Sequence, residues 1–257
     1  MIFDPSKPPL TDSAGLLKSV PVEAGPEIWK RATRVISSGL CDLQVNGFAG
    51  VDYNDPTLMP EEFEKSLFAM LRTGVTTCLP TVITGSEDWQ IQCFHALEAG
   101  RNASKLAQAM IPGYHLEGPF LNPEEGFCGC HPTKWMRPAT LDHFERLQEA
   151  AGGRITLVTV APEIKGVLDL IPKWVEKGIA VAIGHCNPDR DTLLRAADAG
   201  VTLSTHLGNG IAQMLPKKDN PILGQLAEDR FSASFIADGV HQEPHVLGVY
   251  LRAKQSS

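Results

Sequence analysis

The chain of 257 residues is 43% hydrophobic and 21% charged, an ordinary globular composition that excludes disordered, collagen-like and low-complexity classes. Its 23 basic against 30 acidic side chains give a formal net charge of −7, so there is no basic excess to support general nucleic-acid or anionic-membrane binding. No apolar run approaches a membrane span, residues 1–11 lack the build of a signal peptide, and six scattered cysteines (41, 78, 93, 128, 130 and 186) read as reduced thiols of a cytoplasmic protein.

In chain order, residues 1–35 stand apart. Pro5, Pro8, Pro9, Pro21 and Pro26 interrupt every candidate element, which predicts a poorly structured leader or the remnant of a small β unit. From residue 36 onward, apolar runs rich in β-branched residues predict strands at 40–45, 75–83, 111–116, 155–160, 179–183, 201–205 and 232–237. Between them lie helical patterns such as Phe63, Leu67, Met70 and Leu71, or Leu168, Ile171 and Val175. Gly74, Gly178 and Gly200 each stand directly before a predicted strand, where a helix can close through a left-handed residue. After residue 237 a last helical stretch places Leu247, Tyr250 and Leu251 on one face.

Near-continuous apolar strands alternating with helices predict an α/β fold with parallel pairing. Seven such units fit a (β/α)8 TIM-type barrel over 36–257 with the last strand missing, or an open doubly wound sheet. The barrel is preferred because polar residues cluster just after the apolar runs, at the C-terminal strand ends where barrel active sites are assembled.

Those strand ends carry Asp42-Leu-Gln44-Val-Asn46, His115-Leu-Glu117-Gly-Pro-Phe, Gly184-His185-Cys186-Asn187, Ser204-Thr-His206-Leu-Gly-Asn209-Gly210 and Asp238-Gly-Val-His241. Glu117, His185 and His206 leave three different strands at one barrel mouth. Two imidazoles and a carboxylate make a catalytic zinc set with a fourth position for water or substrate. Cys128, Cys130 and His131 offer a rival zinc knuckle, but the single residue between the thiols is tight for chelation and no second cysteine pair follows.

These motifs, in this order over about residues 35–257, resemble N-acetylglucosamine-6-phosphate deacetylases of the amidohydrolase superfamily. The resemblance implies that Glu117, His185 and His206 bind one divalent metal ion, zinc by expectation. Gln44 and Asn46 stand where many amidohydrolases carry a His-x-His pair for a second metal, and carboxamides ligate zinc poorly. Gln44 is then expected to act on the metal-bound water or the substrate, with Asn46 beside the substrate, and His131 matches a family histidine that contacts the sugar. For the phosphate, the backbone N–H groups of Asn209 and Gly210 and the charge of Lys218 (with Lys217 beside it) are the candidates, and His241 matches another substrate-side histidine.

The activity implied is hydrolysis of the acetamide of a phosphorylated amino sugar, N-acetylglucosamine 6-phosphate, with a possible homodimer. In the family the proton-shuttling carboxylate is an aspartate ending the eighth strand. No predicted strand after 232–237 supplies one, and Asp238 lies at a different motif position, so slow turnover is expected of this chain. The alternatives are another amidohydrolase acting on a cyclic amide, against which Gln44 and Asn46 speak, and a non-catalytic sugar-phosphate-binding descendant.

Overall fold

The structure, a computed structural model, describes residues 39–254, so the leader expected over 1–35 lies outside the described residues. Strand β1 (Leu40–Val45) is followed by a hairpin, β2 (Gly47–Phe48) and β3 (Val51–Asp52), then by α1 (Pro60–Leu71) and β4 (Val75–Val82). Helices α2 (Glu87–Ala103) and α3 (Lys105–Met110) lead to β5 (Tyr114–Glu117), and α4 (Leu141–Ala150) leads to β6 (Ile155–Val160). Next come α5 (Val167–Glu176), β7 (Ala180–Ile183), α6 (Arg190–Ala199) and β8 (Leu203–Ser204). Finally α7 (Pro221–Leu226), β9 (Ser232–Ala233) and α8 (Pro244–Ala253) follow.

Local chemistry sets these boundaries. Ser86, Thr140 and Asp189 cap α2, α4 and α6 by accepting from Trp89, His143 and Thr192 N–H groups, and Pro60 opens α1 where its missing N–H costs nothing. Gly74, Gly178 and Gly200 take φ of 95°, 76° and 115°, the left-handed closures expected before β4, β7 and β8.

The main sheet runs β1-β4-β5-β6-β7-β8-β9, with every pair from β4 to β9 parallel. Consecutive strands lying side by side is the order of a (β/α)8 barrel, and it excludes the doubly wound alternative, in which the order reverses. Among the described residues the sheet is open between β1 and β9.

Three details differ from expectation. The β2–β3 hairpin was unforeseen: it turns through Ala49 and Gly50, both at positive φ (53° and 84°), and an alanine there gives no turn signal. The run 111–116 begins too early, because Ile111 still donates its N–H to Ala107 at the end of α3. The run 232–237 shrinks to two paired residues, and Leu251 is 49% exposed on α8, which stacks Tyr250 on Phe235 and, at its end, sends Lys254 Nζ to the Glu228 and Phe231 carbonyls.

Two apolar regions follow from the alternation of side chains along each strand. The larger lies between sheet and helices and buries Phe63, Phe94, Tyr114, Phe144 and Trp174 completely. The smaller fills the barrel floor with Leu79, Leu157 and Ala182, against which Leu43 and Leu203 pack. Above that floor the inward positions turn polar: first Thr81, His115, Thr159 and Thr205, then Glu117 with the two histidines that follow β7 and β8.

Candidate metal centre

Glu117 ends β5, where its carboxylate is almost wholly buried. His185 stands two residues beyond β7 and His206 two beyond β8, both buried. The His206 Nε2 atom is 2.9 Å from Glu117 Oε1, and His185 Nε2 is 3.4 Å from the same oxygen. One ligand atom from each of the three residues lies within 4.8 Å of the others. His131, from the β5–α4 connection, faces the second carboxylate oxygen with Nε2 3.5 Å from Oε2.

Electrostatics make this an uncommon interior. Burial by itself raises a carboxyl pKa, yet the imidazoles of His131, His185 and His206 packed around it hold Glu117 well below the usual carboxylate range. The His185 Nδ1–H donates to the Phe127 carbonyl at 2.8 Å, which leaves Nε2 as a lone pair aimed at the cluster. On His131, Nδ1 lies 2.9 Å from the Thr84 hydroxyl and accepts from the Thr84 N–H, so its Nε2 carries the proton toward Glu117. Among the described residues, His206 Nδ1 is buried without a partner.

The donor set fits a divalent ion. Bonds of about 2.0–2.2 Å in a tetrahedron put neighbouring donors roughly 3.4 Å apart, close to the spacings around Glu117 Oε1. Backbone strain supports the same reading. His185 and His206 sit at φ of 50° and 33°, left-handed conformations that cost a non-glycine residue about 1–3 kcal/mol each. They turn each imidazole out of the plain strand alternation and toward Glu117.

The glycines beside His185 have a steric role that the sequence did not reveal. A methyl group on Gly129 would stand 2.7 Å from His185 Cε1, and one on Gly210 would stand 2.5 Å from its Nδ1. The imidazole is wedged between two stretches of bare backbone.

The remaining candidates fall at different depths. Gln44 is half-buried at the end of β1, and Asn46 just beyond is exposed. Asn209 spends both its backbone N–H (2.9 Å) and its carboxamide NH2 (3.2 Å) on the His206 carbonyl, so the phosphate donor expected from its backbone is already engaged. Gly210 is half-buried, while Lys217 and Lys218 are exposed in the β8–α7 connection. His241 is half exposed, its Nδ1 held 2.7 Å from Asp238 Oδ2. Asp238 also accepts the N–H groups of Val240 and His241, and these backbone bonds, with the imidazole, pull its pKa down to about 2. Among the described residues, Cys128, Cys130 and His131 do not bring their ligand atoms together as Glu117, His185 and His206 do.

No protein-family model matches the chain. Individual relatives do. It is 31% identical over 240 residues to an N-acetylglucosamine-6-phosphate deacetylase of Bacillus subtilis, covering 90% of this chain and 58% of that protein. Over 228 residues it is 32% identical to an N-acetylgalactosamine-6-phosphate deacetylase of Shewanella, covering 88% and 55%. A solved N-acetyl-D-glucosamine-6-phosphate deacetylase variant from Mycobacterium smegmatis, in complex with N-acetyl-D-glucosamine-6-phosphate, superposes with a TM-score of 0.74 at 28% identity, covering 84% of this chain and 55% of that one. Over most of its length the chain is thus similar to N-acetylglucosamine-6-phosphate deacetylases. It spans a little over half the length of the curated relatives it matches.

Proposed function

We propose that the chain forms, over residues 36–257, the barrel part of a metal-dependent deacetylase that hydrolyses the acetamide of N-acetylglucosamine 6-phosphate. The observation that carries this reading is the convergence of one buried carboxylate and two strained imidazoles at a barrel mouth. Glu117, His185 and His206 would hold a single zinc ion. Bound there, zinc supplies a Lewis acid for a carbonyl and acidifies a water. A second ion is disfavoured because Gln44 and Asn46 offer carboxamides.

Around that centre, His131 presents an N–H that Thr84 keeps oriented, suited to donate to a substrate oxygen. Gln44 would hydrogen-bond the water or the acetyl group, and Asn46 the sugar. Asp238 takes the Nδ1–H of His241, which leaves Nε2 to accept from a sugar hydroxyl. Lys218 and the Gly210 N–H supply the phosphate side, with the Asn209 carboxamide oxygen left to accept. The departing amine still needs a proton, and Asp238 is a poor carrier because three N–H donors already hold it ionised. A homodimer and a cytoplasmic location, the latter suggested by six free thiols, complete the reading.

The test is acetate release by the purified chain with one equivalent of zinc, using N-acetylglucosamine 6-phosphate and its galactosamine epimer in parallel. Zinc-dependent release from the glucosamine compound supports the proposal. Preference for the epimer moves the substrate toward the Shewanella relative's. Two tightly bound zinc ions per chain would favour a cyclic-amide hydrolase, and sugar-phosphate binding with no acetate would make the chain a binding protein.

A further inference from the structure

One layer below the metal ligands, a closed line of hydrogen bonds crosses the barrel interior. His115 Nδ1 lies 3.0 Å from the Leu43 carbonyl oxygen of β1. A carbonyl can only accept, so Nδ1 carries the proton and Nε2 must accept. The Thr159 hydroxyl, 2.7 Å from Nε2, then donates to it. With that proton spent, the Thr205 hydroxyl, 2.6 Å away, donates to Thr159 Oγ1. One backbone carbonyl thus fixes the direction of every bond from β1 through β5 and β6 to the end of β8. His115, Thr159 and Thr205 are almost completely buried.

Each member of this line is bonded or packed beside a proposed ligand. His115 precedes Glu117 by two residues on the same strand face, and Thr159 pairs with Glu117 across β5 and β6. The Thr159 carbonyl accepts the N–H of Gly118 at 3.1 Å. Thr205 immediately precedes His206, and its N–H donates to the Ile183 carbonyl at 2.8 Å. A methyl on Gly184, the neighbour of His185, would stand 3.0 Å from the Thr159 methyl and 3.2 Å from Thr205 Cβ. The strained backbones of His185 and His206 therefore rest directly on this layer.

We propose that His115, Thr159 and Thr205 form a positioning layer that sets the spacing of Glu117, His185 and His206, with His115 serving as a neutral, Nδ1-protonated spacer. The proposal rests on the reading of those three residues as a divalent-metal site. It explains why a barrel floor that is otherwise leucine and alanine gives way to two threonines and a histidine before the ligands begin. An apolar layer there would pack, but it would carry no directional bond to hold two left-handed residues in place.

The test uses the whole chain and cobalt(II) as the probe. Thr205→Val should weaken cobalt and zinc binding by about 10–100-fold and alter the visible cobalt spectrum, and Thr205→Ser should restore both. Thr159→Val combined with Thr205→Val should cost little more than either alone, since both break one line. Nitrogen-15 NMR of the wild-type chain supplies a readout that needs no variant, because His115 must be the Nδ1–H tautomer. An Nε2–H tautomer, or Thr205→Val with wild-type affinity and spectrum, overturns the proposal while leaving the metal site standing. If the wild-type chain binds no cobalt, or Glu117→Gln binds it equally well, the metal reading fails and the positioning layer falls with it.

Discussion

Glu117 and Glu87 both keep histidine company, and of these two only Glu117 is built to receive an ion. Glu117, inside the barrel, faces three imidazoles and, among the described residues, no lysine or arginine. Glu87, in the first turn of α2, meets His143 Nδ1 at 2.7 Å, but it also meets Arg146 through both nitrogen types of its guanidinium, with Arg137 at 3.9 Å. Both carboxyls are held acidic, Glu117 against the cost of burial and Glu87, at about 2, chiefly by its Arg146 bond. The arginines cannot lose their charge, so the Glu87 cluster is already neutralised and closed. The partners of Glu117 are imidazoles, which carry no fixed charge. A buried carboxylate among neutral imidazoles requires one cation, which is either a proton on an imidazole or a metal ion. Composition alone does not distinguish the clusters; the identity of the third and fourth partners does.

The widest separation between the two should appear on metal binding. Glu117→Gln should reduce zinc affinity by more than the 10–100-fold typical of outer-shell losses, whereas Glu87→Gln should leave it unchanged in calorimetry. In the same comparison, zinc at a hundredfold excess over Kd should stabilise the wild-type chain by about 2.7 kcal/mol and raise Tm by roughly 5–10 °C, an increment that chelation removes. Because zinc displaces protons here, that increment should shrink as pH falls. Equal zinc binding by both variants would break the contrast.

A smaller effect tests how firmly the Glu117 cluster is seated. Gly210→Ala places a methyl group 2.5 Å from His185 Nδ1, at a backbone φ of 59°. Gly153→Ala, at φ 75° with open space around it, is the matched control. Both should lose about 1–2 kcal/mol in urea unfolding from the left-handed backbone alone. Only the Gly210 variant should also lose zinc affinity, by about tenfold or more. Loss in neither would show that His185 can move aside without consequence.

Smaller again is the outer pair. Asp238→Asn removes the charge that holds His241 Nδ1–H while keeping the turn's acceptor oxygen. Zinc affinity should not change, and binding of the sugar phosphate should weaken by about three- to tenfold in calorimetry, the loss expected for one charge-assisted bond near the surface. A change in zinc affinity instead would place His241 in the metal shell.

What could be read from the sequence follows the same division. Glu117, His185 and His206 were legible because each stands just past an apolar β-branched run, and strand ends in a barrel converge. The seven strands were legible for the same reason, since burial on both faces leaves little besides apolar residues. Thr84, the Phe127 carbonyl and Gly129 were not, because they act through single backbone or hydroxyl contacts whose partners lie 47 and 58 residues away for Thr84 and Phe127. The Glu87 cluster was equally silent: Glu87 and Arg146 are 59 residues apart, and their pairing depends on how α2 packs against α4. Periodicity reports which face is buried, while register and helix packing decide which polar groups meet.

The finest test of the contrast is the pH dependence of Glu87 itself. Its folded pKa of about 2 lies below the unfolded value of roughly 4.3, so the ionised form is favoured by folding. The stabilisation is fully present above about pH 4.3 and is lost as pH falls toward 2, because there the unfolded chain takes up the proton first. Arg146 is 43% exposed, so solvent screening reduces the contribution to about 1 kcal/mol or less. Urea unfolding of the chelated wild-type chain and Glu87→Gln should therefore differ by about that amount at pH 7. The difference should narrow below pH 4 and fall further in 0.5 M salt, where exposed ion pairs weaken. If the gap instead stays constant from pH 7 to 2.5, Glu87 acts through shape and hydrogen bonding alone. The charge balance that separates its cluster from that of Glu117 would then have no energetic content.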